Sequence, residues 1–179
     1  MLKNIYIKNQ KGFSLIEMMV VVVILGLIVL GLVTFFTGGA KSWVAGQSQL
    51  TAQRNARQAI DRMVREIREG KNVTSDSDGD TIVVSIPYFD TPDPDDYYEV
   101  TYNLFNNTTI KRGTTPLIDN VLTESGESLF KYYNSVGTEV TSPDSNVSKV
   151  HINLKIDVDK DDNPDITLNT DVNLRNYGL

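Results

Sequence analysis

The sequence predicts an α+β fold in which a long N-terminal helix packs, through its second half, on an antiparallel β-sheet. Three observations favour this class. No proline occurs between Phe13 and about Lys71. Within that stretch the apolar residues change from a continuous run to a stripe with helical spacing. After Asn72 apolar and polar residues alternate, as they do in half-buried strands.

The first part of the predicted helix is apolar on every side. The residues between Glu17 and Lys41 carry no charge, and Met18 to Val33 is entirely apolar or glycine. A bilayer core is crossed by roughly 20 apolar residues in a helix. Positive charge before such a run predicts a cytoplasmic N-terminus, so that all later residues lie across the membrane. That charge comes from Lys3, Lys8 and Lys11.

The second part of the helix has a single apolar face. Its apolar residues recur every three or four positions, at Ala52, Ala56, Ala59, Ile60, Met63 and Ile67. Charged residues lie on the other side, and three pairs have the spacing of i,i+4 ion pairs: Arg57–Asp61, Asp61–Arg65 and Arg62–Glu66. Gly70 and Asn72 predict the end of the helix. One apolar face indicates that this half packs against a folded domain.

The remaining sequence predicts strands and turns. β-Branched residues predict a strand at Thr81–Ile86, and Pro87 to Asp96, with Pro92 and Pro94, predicts a loop. The other predicted segments are a strand from Tyr98 to Leu104, a tight turn at Asn106-Asn107, a strand at Thr108–Arg112, and short segments at Leu117–Leu122 and Leu129–Tyr133.

A final hairpin is the clearest of these elements. Four apolar residues alternate along its first strand, at Val150, Ile152, Leu154 and Ile156. Asp159–Pro164 forms the turn, and the second strand returns with the same parity at Ile166, Leu168, Val172 and Leu174. One face of this hairpin is therefore expected to be covered by another part of the protein and the other to be exposed to water.

Composition excludes several kinds of site. The chain has no cysteine, which excludes disulfides, zinc-thiolate sites and thiol nucleophiles. It has one histidine, which argues against a multi-histidine metal centre or a serine triad. No glycine-rich phosphate loop or nucleophile elbow is present. The sequence therefore predicts neither an enzyme nor a cofactor.

Charge is distributed unevenly along the chain. Residues 1–12 carry +3, residues 13–71 carry +3 and residues 72–179 carry −12, which gives the net charge of −6. Binding to nucleic acid depends on cationic side chains. The acidic distal part therefore argues against nucleic acid or an anionic membrane surface as its partner, and it favours a soluble body outside the cytoplasm.

One motif points to a known class of protein. Lys11-Gly12-Phe13-Ser14-Leu15-Ile16-Glu17, followed by MMVVVVILGLIVLG, resembles the leader of type IV prepilins. The resemblance implies that a prepilin peptidase cleaves between Gly12 and Phe13 and methylates the new amino group of Phe13. It also implies that Glu17 pairs with the Phe13 amine of a neighbouring subunit.

Softer similarities indicate a branch of this class. The helix pattern from Gln53 to Arg68 is similar to that of PilW-type minor pilins and of J-type pseudopilins of type II secretion. The residues between these two that belong to the pattern are Ala56, Arg57, Ala59, Ile60, Asp61, Arg62, Met63, Arg65, Glu66 and Ile67. Three further stretches agree: Leu117–Val121, Leu129–Tyr133 and Val172–Asn176. Thr34 stands where major pilins commonly have proline, and no cysteine pair is present. Both departures favour a minor, priming or tip-associated subunit.

The resemblance implies four regions. These are a leader at 1–12 that is removed, a transmembrane half of the helix at 13–36, an amphipathic half at 37–71 and an acidic β-rich domain at 72–179. The implied partners are other pilin or pseudopilin subunits, prepilin peptidase, an inner-membrane assembly platform and membrane lipid. The expected location is the inner membrane with an extracytoplasmic C-terminal domain, and then a filament or the cell surface.

Two alternatives remain open at this point. An ordinary secretory signal would be cleaved near Thr37–Ala40, where small residues follow the apolar run. A membrane-anchored binding module, adhesin-like or calcium-binding, would not join a filament. Its sugar- or surface-binding patch would come from tyrosines that otherwise pack across strands, namely Tyr97, Tyr98, Tyr102, Tyr132 and Tyr133. His151 is expected to be a plain surface residue.

Calcium is a weak candidate ligand. Oxygen-bearing side chains alternate at Asp157, Asp159, Asp161, Asn163 and Asp165. The run lacks the glycine and the distal glutamate of an EF-hand loop. A second run, Asp76–Asp80, is equally incomplete. The sequence therefore predicts no metal site.

Overall fold

A computed structural model describes residues 12–88, 96–124 and 126–177, and within these ranges it contains one α-helix and nine β-strands. The predicted leader up to residue 11, and Pro92 and Pro94 of the predicted loop, lie outside the described residues. The chain divides into two units, Met1–Gly46 and Gln47–Leu179. The predicted α+β class is confirmed.

Helix α1 spans Leu15–Arg68, which is 54 residues. It begins directly after Ser14, whose carbonyl accepts a hydrogen bond from the Met18 N–H at 3.2 Å. Its end lies three residues before the predicted one at Lys71. No proline interrupts the segment, so its backbone hydrogen bonding continues from the apolar half into the striped half.

The C-terminal end of α1 is capped by residues from the end of the chain. The Arg175 N–H donates to the Arg68 carbonyl at 2.8 Å, and the Asn176 N–H donates to the Gly70 carbonyl at 3.3 Å. The Asn176 side-chain amide donates to the Glu69 carbonyl at 2.8 Å. The last carbonyls of a helix have no partner within the helix, so these bonds complete its end.

Gly70 lets the chain leave the helix close to the core. A Cβ atom at this position would overlap Cγ1 of Val84 and lie 2.8 Å from Cδ2 of Leu174. Any larger residue would push the two apolar side chains apart. The stop signal that the sequence placed at Gly70 is therefore correct, and the physical reason for glycine there is its close packing against Val84 and Leu174.

Five strands form the first sheet, in the order β1-β2-β3-β4-β5 with antiparallel neighbours. The predicted turn at Asn106 and Asn107 joins β3 to β4, and both residues have left-handed φ, +52° and +56°. Asparagine tolerates this conformation better than most residues. The strands are β1 Asn72–Val73, β2 Thr81–Pro87, β3 Tyr97–Phe105, β4 Thr109–Arg112 and β5 Thr115–Ile118.

Four strands form the second sheet, in the order β7-β6-β8-β9, again antiparallel. The predicted final hairpin is β8 and β9, and its parity is correct, since Ile156 pairs with Ile166 and Leu154 with Leu168. The strands are β6 Phe130–Asn134, β7 Glu139–Val140, β8 Val147–Ile156 and β9 Ile166–Asn173.

The division into two sheets differs from the single predicted sheet. A backbone bridge between Val121 and Ile156 links the segment after β5 to β8. Both sheets and the helix stripe contribute to one apolar core. The predicted stripe is confirmed, because Ala52 packs against the core and its other members are buried: Ala56, Ala59, Ile60, Met63 and Ile67.

Candidate processing and assembly site

The junction between Gly12 and Phe13 lies just outside the helix. Both residues are exposed and have no regular secondary structure, and 77% of the Phe13 surface is accessible. No heavy atom lies within 4 Å of the position that a Cβ on Gly12 would take. The peptide bond between them is therefore accessible to a protease.

Glu17 lies in the first turn of α1. Because Ser14 provides the first helical carbonyl, Glu17 is the third helical residue and is exposed. The N-terminus of a helix carries a partial positive charge, so a carboxylate is favourable here. The structure therefore gives Glu17 a local role that the sequence interpretation omitted. Pairing of Glu17 with the Phe13 amine of another subunit stays a prediction.

The apolar half of α1 exposes its side chains all round. An 18-residue window near the N-terminus has no buried residue, and its length and composition are sufficient to cross a membrane. Large side chains from Leu15 to Phe36 are about half exposed or more. Such a surface needs a partner other than water.

Two threonines in this half form hydrogen bonds from their hydroxyl groups to backbone carbonyls of the same helix. The Thr34 hydroxyl donates to the Gly31 carbonyl at 2.9 Å, and the Thr37 hydroxyl donates to the Val33 carbonyl at 2.9 Å. A polar group in lipid is tolerated when its hydrogen bond is made internally. Thr34 therefore fits an apolar surrounding without breaking the helix.

A charged cluster joins the striped half of α1 to the first sheet. Glu66 accepts hydrogen bonds from Arg112 Nε at 2.7 Å and from the Tyr102 hydroxyl at 2.6 Å, both at Oε2. Its other oxygen, Oε1, accepts from Arg62 Nε at 3.2 Å. The sequence predicted only the Arg62 pair. Because Arg112 and Tyr102 are distant in sequence, the position of Glu66 beside the apolar stripe was the only available signal.

The environment of this cluster shifts three pKa values. Burial tends to raise the pKa of Glu66, but the hydrogen bonds from Arg112, Tyr102 and Arg62 outweigh it, so the pKa lies below the ordinary value of 4.5. Burial and the bond to Glu66 raise the pKa of Tyr102. The hydrogen bond to Glu66 raises the pKa of Arg112. At neutral pH the cluster is therefore an ion pair with a neutral phenol.

The weak calcium candidates are only partly brought together. Carboxylate oxygens of Asp157, Asp159 and Asp165 lie within 4.8 Å of one another. Asp161 does not belong to this group, and its Oδ1 accepts the Asn163 N–H at 2.9 Å instead. Three of the five weak candidates therefore lie together, while the turn directs Asp161 into a local hydrogen bond.

Two of these three carboxylates have structural roles. Buried Asp157 accepts backbone N–H groups from three residues of its own loop, at 2.7, 3.3 and 2.9 Å: Lys160, Asp161 and Asp162. Asp165 accepts the Val158 N–H at 2.7 Å and the Gln49 side-chain amide of α1 at 3.1 Å. These bonds stabilise the loop, and the one from Gln49 joins it to α1.

The third carboxylate, Asp159, is exposed. Desolvation, followed by the negative charges of Asp161, Asp165 and Asp157, raises the pKa of Asp159. The hydrogen bond from the Val158 N–H is the main cause that lowers the pKa of Asp165. The loop is therefore held by hydrogen bonds at some electrostatic cost to Asp159.

The second acidic run forms a plain turn. Asp78 Oδ1 accepts the N–H groups of Asp80 and Thr81 at 2.8 and 2.6 Å. Among the described residues, the Asp76–Asp80 run contributes no carboxylate to a group that could hold a metal ion. Asp78 therefore stabilises the connection between β1 and β2.

The tyrosines do not form one patch. Tyr102 and Tyr132 are buried, and the Tyr132 hydroxyl donates to the Asp78 carbonyl at 2.7 Å. Tyr98 is exposed and packs on Tyr88, with ring centroids 5.0 Å apart. The alternative of a surface patch made by all five tyrosines is therefore wrong, since two of them belong to the core.

His151 is more than a plain surface residue. It lies on the wet face of β8 as predicted, but its Nδ1 is 2.7 Å from Asp171 Oδ1 on β9. Lys149 Nζ is 3.9 Å from the other oxygen of Asp171. The three side chains form a cross-strand polar cluster.

Comparison with known families gives one match. Residues 7–33 match the family described as the prokaryotic N-terminal methylation motif, and this range contains Gly12, Phe13 and Glu17. The match supports a type IV pilin-like protein. Comparisons with curated proteins and with solved structures gave no significant match.

The motif implies processing by prepilin peptidase and assembly with other pilin subunits. It also suggests a structural subunit and not an enzyme. A single N-terminal apolar helix with this motif is compatible with a membrane-anchored protein.

Proposed function

We propose that this type IV pilin-like protein is a minor pilin or pseudopilin that joins or primes a type IV pilus-like or type II secretion filament. The observation that carries the proposal is the methylation motif at residues 7–33, followed by a helix that is apolar and exposed on all sides. Such a helix suits a lipid environment first and a bundle of similar helices afterwards.

Processing is the first step. Prepilin peptidase cuts between Gly12 and Phe13, removes the basic leader and methylates the new amino group of Phe13. Exposure of both residues supports access to this bond. The cut replaces three lysines by one cationic amine at the tip of an apolar helix.

Assembly then uses Glu17. The carboxylate of one subunit pairs with the Phe13 amine of its neighbour when the helices stack with an axial offset. Most cohesion comes from apolar packing, and the pair sets the register. Removing one partner of a buried ion pair costs about 3–5 kcal/mol.

The regions follow the same plan. Residues 13–36 cross the inner membrane, residues 37–71 continue as the amphipathic half of the helix, and residues 72–179 form an extracytoplasmic domain. Membrane lipid surrounds the first of these before assembly, and an inner-membrane platform extrudes the subunit into the filament or to the cell surface.

Several features support a minor subunit of the PilW or J type. Helix residues from Gln53 to Arg68 follow the pattern of those subunits, and the apolar members of the pattern are buried. Thr34 keeps the helix free of the proline that is common in major pilins. The chain also has no cysteine pair to close a C-terminal loop.

Substitution at Glu17 tests the assembly step. Glu17→Ala and Glu17→Gln leave cleavage intact but lower incorporation into sheared filaments by at least about tenfold, since 1.4 kcal/mol corresponds to a factor of ten. Asp61→Ala, which removes an exposed carboxylate from the same helix, is the matched control. Normal incorporation of both Glu17 variants would refute the pairing role. Absence of the wild type from filaments would favour a membrane-anchored binding module.

A further inference from the structure

Trp43 lies in α1 at the point where the apolar run has ended. It is the only tryptophan of the chain, and 70% of its surface is exposed. Lys41, two residues earlier, is the first charged residue after Glu17. A large exposed aromatic side chain at the same level of a helix as a lysine suits an environment that is apolar on one side and polar on the other.

The length of the apolar run places Trp43 at the surface of a bilayer. Met18 to Phe36 covers 19 residues, or about 28 Å at 1.5 Å per residue, close to the roughly 30 Å of a hydrocarbon core. Small residues follow at Thr37–Ala40, and then Lys41 and Trp43. Tryptophan is enriched at the headgroup level of membranes, and lysine extends its ammonium group toward water there.

Both ends of the apolar segment of α1 then fall at a membrane interface. Glu17 and Trp43 are 26 residues apart, or about 39 Å along an α-helix, against about 40–45 Å for a bilayer with its headgroups. With Trp43 in one headgroup layer, Glu17 reaches the other and keeps its carboxylate hydrated before assembly.

We propose that Trp43, together with Lys41, binds the phospholipid headgroup layer on the extracytoplasmic side and fixes the depth of α1 in the membrane. This inference rests on the proposed function, because it requires that α1 crosses a bilayer. The occupant is lipid and not a second helix, because the match between the apolar length and the bilayer core places this position at the headgroups.

Tryptophan fluorescence of the full-length protein in phosphatidylcholine vesicles tests the proposal. Every photon of tryptophan emission comes from residue 43, so the wild type needs no substitution. Emission is measured with a spin label on the lipid headgroup and, separately, with bromine near the end of the acyl chain. We expect headgroup quenching to exceed deep quenching by about twofold or more, as for an interfacial ring.

Two variants calibrate depth on the same helix face. Trp43→Phe combined with Val29→Trp moves the probe fourteen residues deeper, about 21 Å, and Trp43→Phe combined with Leu50→Trp moves it seven residues outward, about 10 Å. Both host positions are exposed, at 49% and 60%. The deep probe prefers the acyl-chain quencher, and the outer probe responds to neither label.

The outcomes separate the two proposals. If Trp43 is quenched in the same way as either reference probe, the proposed anchoring role of Trp43 is wrong. If the deep probe is still quenched in that case, the proposal that α1 crosses the membrane is unaffected. Quenching that falls as the protein-to-lipid ratio rises would assign this face to a second copy and also overturns the anchor. Failure of the protein to float with the vesicles overturns the anchor together with the membrane step of the proposed function.

Discussion

Replacing Glu66 by alanine removes the carboxylate that joins α1 to the first sheet. Its bond with Arg112 is charge-assisted and is worth about 1.5–3 kcal/mol, and the Tyr102 hydroxyl loses its acceptor in a buried residue at about 1–3 kcal/mol. The Arg112 side chain is 35% exposed and regains water, so the two losses do not add fully. We expect Glu66→Ala to lower the free energy of unfolding by about 2–4 kcal/mol.

Urea unfolding of the full-length protein in detergent measures this change. Circular dichroism in the tyrosine band reports the core, because Tyr102 and Tyr132 are buried there. Arg62→Ala is the control, since Arg62 is 50% exposed and forms an i,i+4 pair with the same carboxylate. Its expected effect is at most about 0.5 kcal/mol.

A double-mutant cycle isolates the contact between Glu66 and Tyr102. Combining Glu66→Ala with Tyr102→Phe should give a loss smaller than the sum of the single losses by about 1 kcal/mol, because both variants remove the same hydrogen bond. Strictly additive losses, or an Arg62→Ala effect as large as that of Glu66→Ala, would contradict the role assigned to the cluster.

Three further predictions concern pH, packing and calcium. Because the folded-state pKa of Glu66 lies below 4.5, its stabilising contribution is present above pH 4.5 and is lost as the pH falls through that lower pKa. The difference in unfolding free energy between the wild type and Glu66→Gln should therefore disappear in acid. A difference that does not change with pH would contradict this prediction. Gly70→Ala should cost about 1–3 kcal/mol by overpacking, whereas Gly46→Ala, with open space around it, should be neutral or stabilising; equal effects in urea unfolding would contradict the packing argument. Calcium should leave the melting temperature unchanged because Asp157 is already satisfied by backbone N–H groups, and a rise that Asp159→Asn abolishes would support a calcium site.

Local patterns predicted the elements that depend on neighbours in sequence. The stripe from Ala56 to Ile67 and the parity of β8 and β9 follow from periods that any helix or strand must show. The turn at Asn106 and Asn107 was equally predictable from the sequence, because few residues accept left-handed φ. The motif around Gly12, Phe13 and Glu17 was identified by its resemblance to the leader of type IV prepilins.

Features that join distant segments were not predictable in this way. Alternation identifies a strand but does not identify its partners, so the division into two sheets was missed. The bonds from Arg175 and Asn176 to the end of α1 connect residues about a hundred positions apart. Glu66 and Arg112 are 46 positions apart, and the sequence showed only a charged residue beside an apolar stripe. Asp157 was a weak calcium candidate by its spacing alone, and its hydrogen bonds to the following turn were not predictable because they depend on three-dimensional geometry.

The intact mass of the protein isolated from its native membrane tests the central claim most directly. A type IV pilin-like subunit that is processed as proposed begins at Phe13 and carries one methyl group on its amino terminus. A mass that retains residues 1–12, or one that corresponds to a start near Ala40, would contradict the proposed processing and with it the pairing of Glu17.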